Sequence, residues 1–255
     1  MSRVSPTRTV RSIRKEIALA YATNDEFGRH FISTGKDTPP RHLGTRYDGA
    51  GNFLCEPGNT FVSHVVNGSQ SQKALMEVRE RLRALPHADH FTFTPVSSLH
   101  KTLFQGVIEG RRGREYWPAA LPADAAIPET TSWIDERLEG FSVKAPFRIK
   151  ADMVTPLGVV VSGLTDADEA VMREARDALA ERLGYRHPDH DDYTFHITLA
   201  YQLDWLPPEA EAIYLPALAE MKTLLDALPE GIELDVPAFC VFDDMEEFRP
   251  LREIG

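Results

Sequence analysis

His100-Lys101-Thr102-Leu103 and His196-Ile197-Thr198-Leu199 are one tetrapeptide form written twice in a single chain. With 9 His, 17 Thr and 24 Leu among 255 residues, one H-x-T-L is expected by chance about 0.06 times and two about 0.002 times. In an extended strand, residues two apart point to the same face. His100 therefore shares a face with Thr102, and His196 with Thr198. Lys101 and Leu103, like Ile197 and Leu199, take the opposite face.

The surroundings of the two motifs also repeat. Phe61-Val62-Ser63-His64-Val65-Val66 is a β-rich run closed by Asn67-Gly68. A helix is predicted near 69–85, where Leu75, Val78, Leu82 and Leu85 recur at three- and four-residue spacing, and Pro86 ends it. Phe91–Thr94 and Ser98–Val107 then read as strands. In the second half, Gly158–Ser162 reads as a strand. Thr165 with Asp168 reads as a capped helix start, and Val171, Ala175, Ala178, Leu179 and Leu183 give the buried stripe before Gly184. Asp192–Tyr201 reads as one strand. Strand, helix and strand recur with the His-x-Thr element at the end.

The expected fold is α+β and bilobal: two pseudo-symmetric lobes, each an antiparallel sheet covered by helices, with an active-site groove between them. Residues 1–59 are expected to form an arm and glycine-rich loops packing on the core, and 60–251 the bilobal domain. Lobe 1 is expected at about 60–110 and lobe 2 at about 145–251, with an insertion at about 111–140. A third helix is predicted near 208–228, with Pro216 kinking or breaking its start. Ala238–Phe242 reads as a further strand.

Two imidazoles and two hydroxyls converging on one groove suit the opening of a cyclic phosphodiester. One ring takes a proton from water or a hydroxyl, and the other gives one to the leaving alkoxide. An unperturbed pKa near ~6.5 lets histidine serve in either role near neutral pH. Threonine hydroxyls donate to phosphate oxygens, where transition-state charge gathers.

The paired motifs resemble those of the 2H phosphoesterase superfamily, which includes RNA 2′,5′-ligase-like proteins and 2′,3′-cyclic phosphodiesterases. The resemblance spans roughly residues 60–245. Tyr47-Asp48-Gly49, Pro57-Gly58-Asn59-Thr60, Ser98-Leu99-His100 and Phe239–Leu251 also resemble an uncharacterised bacterial and fungal branch. The resemblance implies a metal-independent cyclic phosphodiesterase or a 2′,5′-RNA ligase, with His100 and His196 catalytic and Thr102 and Thr198 on the substrate. A nucleotide- or RNA-end-binding module without turnover is the non-enzymatic alternative. Arg46 and Tyr47, in the loop ahead of the first lobe, could contact a phosphate or stack on a base, although a plain structural loop is the simpler expectation.

No cofactor or metal is expected. Gly49-Ala50-Gly51 lacks the third glycine of a dinucleotide fingerprint, and no Walker loop is present. His187-Pro188-Asp189-His190-Asp191-Asp192 has metal-ligand chemistry, but its Pro-Asp and Asp-Asp pairs predict a solvated loop. By alternation His64 shares a face with Val62, so a core position is expected. Tyr116 and Trp117 could stack on a base, although packing within the insertion is the simpler expectation.

The net charge is −11, and residues 203–255 carry 13 acidic and 3 basic side chains. Such a chain gains little from counterion release, which argues against duplex binding and leaves a small nucleotide or an RNA-end phosphodiester as partner. No apolar run approaches the ~18 residues of a membrane span. Two cysteines, Cys55 and Cys240, make no disulfide framework. A cytoplasmic monomer is expected. The basic stretch before Glu16 reads as a solvated arm, with transit-peptide chemistry as the alternative.

Overall fold

A computed structural model describes residues 24–255. The basic stretch before Glu16 lies outside them. Along the described chain run α1 (Asn24–Phe31), β1 (Gly58–His64), α2 (Gln70–Arg83), β2 (Phe91–Phe93), β3 (His100–Ile108) and α3 (Ile127–Arg137). Then come β4 (Arg148–Thr155), β5 (Gly158–Gly163), α4 (Asp166–Leu183), β6 (His196–Thr198) and β7 (Ala200–Gln202). The chain ends with α5 (Ala210–Asp226), β8 (Ile232–Glu233), β9 (Ala238–Phe242) and β10 (Arg249–Glu253).

The helices form where the sequence supplies periodicity and caps. Ser69 caps α2 by accepting from the Gln72 N–H at 3.0 Å, and Leu75, Val78 and Leu82 form its buried face. Thr165 and Asp168 close a capping box on α4, and Gly184 ends that helix at φ +71°. There a side chain would clash with the following carbonyl, so glycine is favoured. Pro216 does not break α5, which runs through it from Ala210 to Asp226.

Eight strands form one sheet in the order β10-β9-β1-β3-β6-β5-β4-β8, every neighbouring pair antiparallel. The fold is therefore α+β, with two sheet halves continuous through β3 and β6. These strands meet at one residue pair, Lys101 with Ile197. Beyond it β3 parts from β6, and its freed carbonyls find side chains instead. Arg176 donates to the Leu103 carbonyl at 2.6 Å and Tyr185 to the Gln105 carbonyl at 3.1 Å. The sheet face turned away from the helices at this junction is the cleft face.

Two expectations need correction. β9 and β10, assigned to lobe 2 within 145–251, pair beside β1 and complete the first half of the sheet. Pairing there covers an edge that β1 would otherwise leave open. The expected strand Asp192–Tyr201 splits at Leu199 into β6 and β7, and β7 leaves the main sheet to pair with β2. Leu199 N–H turns to the Leu157 carbonyl at 2.8 Å, which ends the first ladder.

The sheet has two unlike faces. One carries Phe61, Leu103, Phe104, Val159, Val161, Ile197 and Phe239, buried against the apolar faces of α2, α4 and α5. Each such side chain contributes about 1.5–3 kcal/mol by leaving water. The other face of the first half holds Val62, Ala238, Cys240 and Phe242, covered by Met245 and Phe248. Residues 24–59 pack on this body through Phe27, Phe31, Ile32 and Tyr47. The insertion forms a small core of its own around Trp117, whose indole N–H donates to the Pro122 carbonyl at 2.9 Å. Trp117 is therefore packing, not a base platform. Asn59 ties the insertion to the sheet by donating to Thr131 Oγ1 and accepting from the Val107 N–H, both at 3.0 Å.

Candidate active site

The Lys101–Ile197 pair fixes the geometry of both motifs. These two side chains enter the helix-covered face, where both are fully buried. Lys101 Nζ finds no hydrogen bond and lies 4.5 Å and 4.3 Å from the centroids of Phe147 and Phe195, and burial holds its pKa well below the usual lysine range. The flanking residues must point the other way. In an antiparallel ladder His100 then stands opposite Thr198, and Thr102 opposite His196. The two histidines lie on a diagonal, roughly 7–8 Å apart at the backbone. The structure thus brings His100, Thr102, His196 and Thr198 to one patch of one face. Gly158 permits this approach on the far side: it sits beside Thr198 at φ +146°, and a Cβ there would overlap the Ile197 carbonyl.

Both rings are anchored alike. His100 Nδ1 bonds the Ser98 carbonyl at 2.7 Å, and His196 Nδ1 bonds the Thr194 carbonyl at 3.0 Å. A carbonyl only accepts, so the network assigns the proton to Nδ1 in each ring. The neutral rings therefore each keep a lone pair on Nε2.

Their surroundings differ. His100 is half-buried, with Phe248 at 4.1 Å between ring centroids and His64 at 6.2 Å. Ser98 Oγ donates to the Met245 carbonyl at 2.9 Å and so helps hold the segment bearing Phe248 over this ring. Burial pushes the His100 pKa down to about 3, the Ser98 bond opposes this, and His64 and His196 lower it further. His196 keeps an exposed edge. Its pKa is also lowered, first by desolvation; the Thr194 bond raises it, Arg46 lowers it and Asp189 raises it.

His64 corrects an expectation. Its alternation with Val62 is as read, but that face is the cleft face, and His64 pairs directly with His100. Arg46 lies at the site, its Nε bonded to Glu56 Oε2 at 2.8 Å and its charge felt by His196. Tyr47 does not reach it. It is 2% exposed, its hydroxyl donates to the Gln202 carbonyl at 2.8 Å, and it stacks beneath Tyr201 at 5.3 Å. Tyr193, whose ring lies 6.1 Å from His196, was not singled out; Asp189 was read only within the candidate metal loop, and Phe248 only within the Phe239–Leu251 stretch. No spacing rule connects them to the motifs.

The loop after α4 is less solvated than expected. His187 and His190 are each 4% exposed. His187 Nδ1 bonds Gln105 Oε1, and His190 Nε2 bonds Asp177 Oδ1, both at 3.0 Å. Asp177, His190 and Asp191 gather ligand atoms that could hold a metal ion. Arg186 already pairs with both carboxylates, at 3.0 and 2.8 Å, and competes with a cation there. Among the described residues no helix is long and apolar enough to cross a membrane.

Comparison with known proteins follows the same lines. The family model described as 2H-phosphodiest, a domain of unknown function (DUF1868), matches residues 46–160 and so takes in the first motif. A crystal structure of a conserved protein of unknown function, ATU0111 from Agrobacterium tumefaciens, is similar at 44% identity and a TM-score of 0.85, over 88% of this chain and 97% of that one. The crystal structure of TT0787 from Thermus thermophilus matches at 21% identity over 58% of this chain and 76% of that one, with a TM-score of 0.35. No curated protein matches. Over residues 46–160, which hold the first histidine strand, the chain is similar to the 2H-phosphodiest family.

Proposed function

We propose that the protein is a metal-independent phosphoesterase that hydrolyses a 2′,3′-cyclic or related cyclic nucleotide phosphodiester, with His100 as general base and His196 as general acid. One observation carries this reading: two Nδ1-anchored imidazoles on a diagonal of one sheet face, each opposite a threonine. A phosphate seated over that square would meet an Nε2 on either side of phosphorus. Water attacks phosphorus and gives its proton to His100 Nε2. The bond from phosphorus to one ribose oxygen breaks, and that oxygen takes a proton from His196 Nε2. The product is a ribose phosphate monoester, and exchange with solvent restores the two rings.

The role assignment rests on the unlike environments. Burial keeps His100 unprotonated, so its Nε2 lone pair is free, and the charge of a bound phosphate would bring its proton affinity up toward the working range. His196 is also lowered, by desolvation first and by Arg46, but the Thr194 bond and Asp189 oppose this and its exposed edge lets solvent supply the proton it donates. The single negative charge of a bound cyclic phosphodiester would raise both values by direct attraction. Thr102 and Thr198 donate to the non-bridging oxygens, and Arg46 adds positive charge beside them. Incubation with 2′,3′-cyclic nucleotides in chelator, followed by phosphorus NMR, tests the reaction. Turnover by the native protein and its loss in His100→Ala and His196→Ala is expected. Equal turnover in either variant refutes that residue's role.

A further inference from the structure

We propose that the cleft holds a second anion subsite, built by Arg111 with Arg46, which takes the 5′-phosphate of a nucleotide whose cyclic phosphate lies between His100 and His196. This inference rests on the function proposed above and adds a substrate class to it: nucleotides phosphorylated at the 5′ position.

The placement follows from strand register. On β1, Val62 and Thr60 are two apart and share the face turned away from the helices, where both are buried. Their partners on β3 are Thr102 and Gln105, because an irregularity at Leu103 absorbs one residue. Gln105 therefore stays on the same face as Thr102, roughly 10 Å or less along the strand. A ribose between two phosphates spans such a gap. Gln105 Oε1 accepts from Arg111 Nη2 at 3.0 Å and from His187 Nδ1 at 3.0 Å, which fixes the guanidinium over this end of the cleft.

Arg111 makes no ion pair with any described residue, its Nε is buried without a hydrogen-bond partner, and its guanidinium lies 4.4 Å from the Tyr116 ring centroid. An unused buried donor is costly unless something answers it. Arg46 approaches from the other side. Its Nε holds one oxygen of Glu56, and the other oxygen lies against Gly110, the neighbour of Arg111. Glu56 thus occupies Arg46 Nε and feels the charge of Arg111, while the remaining nitrogens of both forks stay without a carboxylate partner among the described residues. His42 registers the same field: burial pushes it down to about 3, and Arg46, Arg41 and Arg111 all lower it. Asp189 is the other acid whose charge reaches Arg111. A planar fork on an aromatic face suits phosphate recognition.

The test is calorimetric binding of adenosine 3′,5′-bisphosphate and 2′,5′-bisphosphate against the matching 3′- and 2′-monophosphates. The 5′-phosphate is expected to tighten binding at least tenfold in the native protein. Arg111→Ala should bring that ratio to within about twofold of unity, and Arg111→Lys should leave it in between. A native ratio near one, or a ratio kept in Arg111→Ala, overturns the subsite. So does failure of all four ligands to bind. If Arg111→Ala fails to fold, as judged by thermal melting, Arg111→Lys alone decides: an undiminished ratio refutes the proposal. A preserved native ratio without turnover of any cyclic substrate would instead remove the proposed reaction and leave the subsite standing.

Discussion

His100 and His196 stand on adjacent strands with the same anchor, yet one lies under Phe248 beside a second imidazole and the other keeps an edge in water near Arg46 and Asp189. The shared part is local: a strand, a carbonyl two residues back and a threonine two residues on. It positions Nε2. The unshared part comes from distant segments, namely the C-terminal stretch before β10 over His100 and the glycine-rich loop and the α4–β6 loop near His196. It sets proton affinity. A duplicated strand can therefore supply two equivalent rings, while the rest of the chain gives them different work.

The severest test of that comparison removes each ring in turn. His100→Ala and His196→Ala should each cost about 10²–10⁴ in kcat, measured with a 2′,3′-cyclic nucleotide. Full activity in one of them would break the pairing. Next are the paired hydroxyls. Thr102→Val and Thr198→Val should each lower kcat by up to about 10²–10³ with little change in fold, since fixed donors to a developing oxyanion are lost. Steady-state kinetics with circular dichroism as a control would check this.

Phe248→Ala probes the asymmetry itself. Exposing His100 to water favours its charged form, so its pKa should climb from about 3 toward the ordinary ~6.5, while His196 stays put. Proton NMR titration of the two rings reads both, and equal movement would contradict the claim that Phe248 acts on one ring.

Acid stability gives a smaller and broader effect. His42, His100 and His187 are each pushed down to about 3, so between that value and ~6.5 the unfolded chain holds protons that the folded one does not. Stability should therefore fall as pH drops through this window. His187→Asn should make the fall shallower in urea melts at pH 7 and pH 4.5. The smallest expected change lies far from the cleft: Thr165→Ala removes the α4 cap and should cost about 1 kcal/mol in a urea melt at neutral pH.

Much of this was legible in the chain. The Leu75–Leu82 stripe, the Thr165–Asp168 box and the Gly184 stop gave α2 and α4, because caps and periodicity are local. The alternation through His100 and Thr102, and through His196 and Thr198, gave the shared face. What escaped depends on pairing across long separations. Nothing near Ala238–Phe242 says that it will zip to β1 rather than to the second half. His64 was read on the correct alternation and assigned to the wrong side, because a sequence shows that two faces differ but not which one the helices cover. For Tyr47 the sequence offered a ligand contact or a structural loop, and the choice between them depends on Tyr201, on a strand more than a hundred residues away. Arg111 became visible only once Gln105 was seen to hold it.

The central claim is that one phosphate is held by both rings at once. Proton NMR titration of the protein with adenosine 3′-monophosphate, following the His100 and His196 ring protons across pH, tests it most directly. The account predicts that both resonances shift along one binding curve and that both pKa values rise in the complex. A shift confined to one histidine, or two curves with different midpoints, would contradict it.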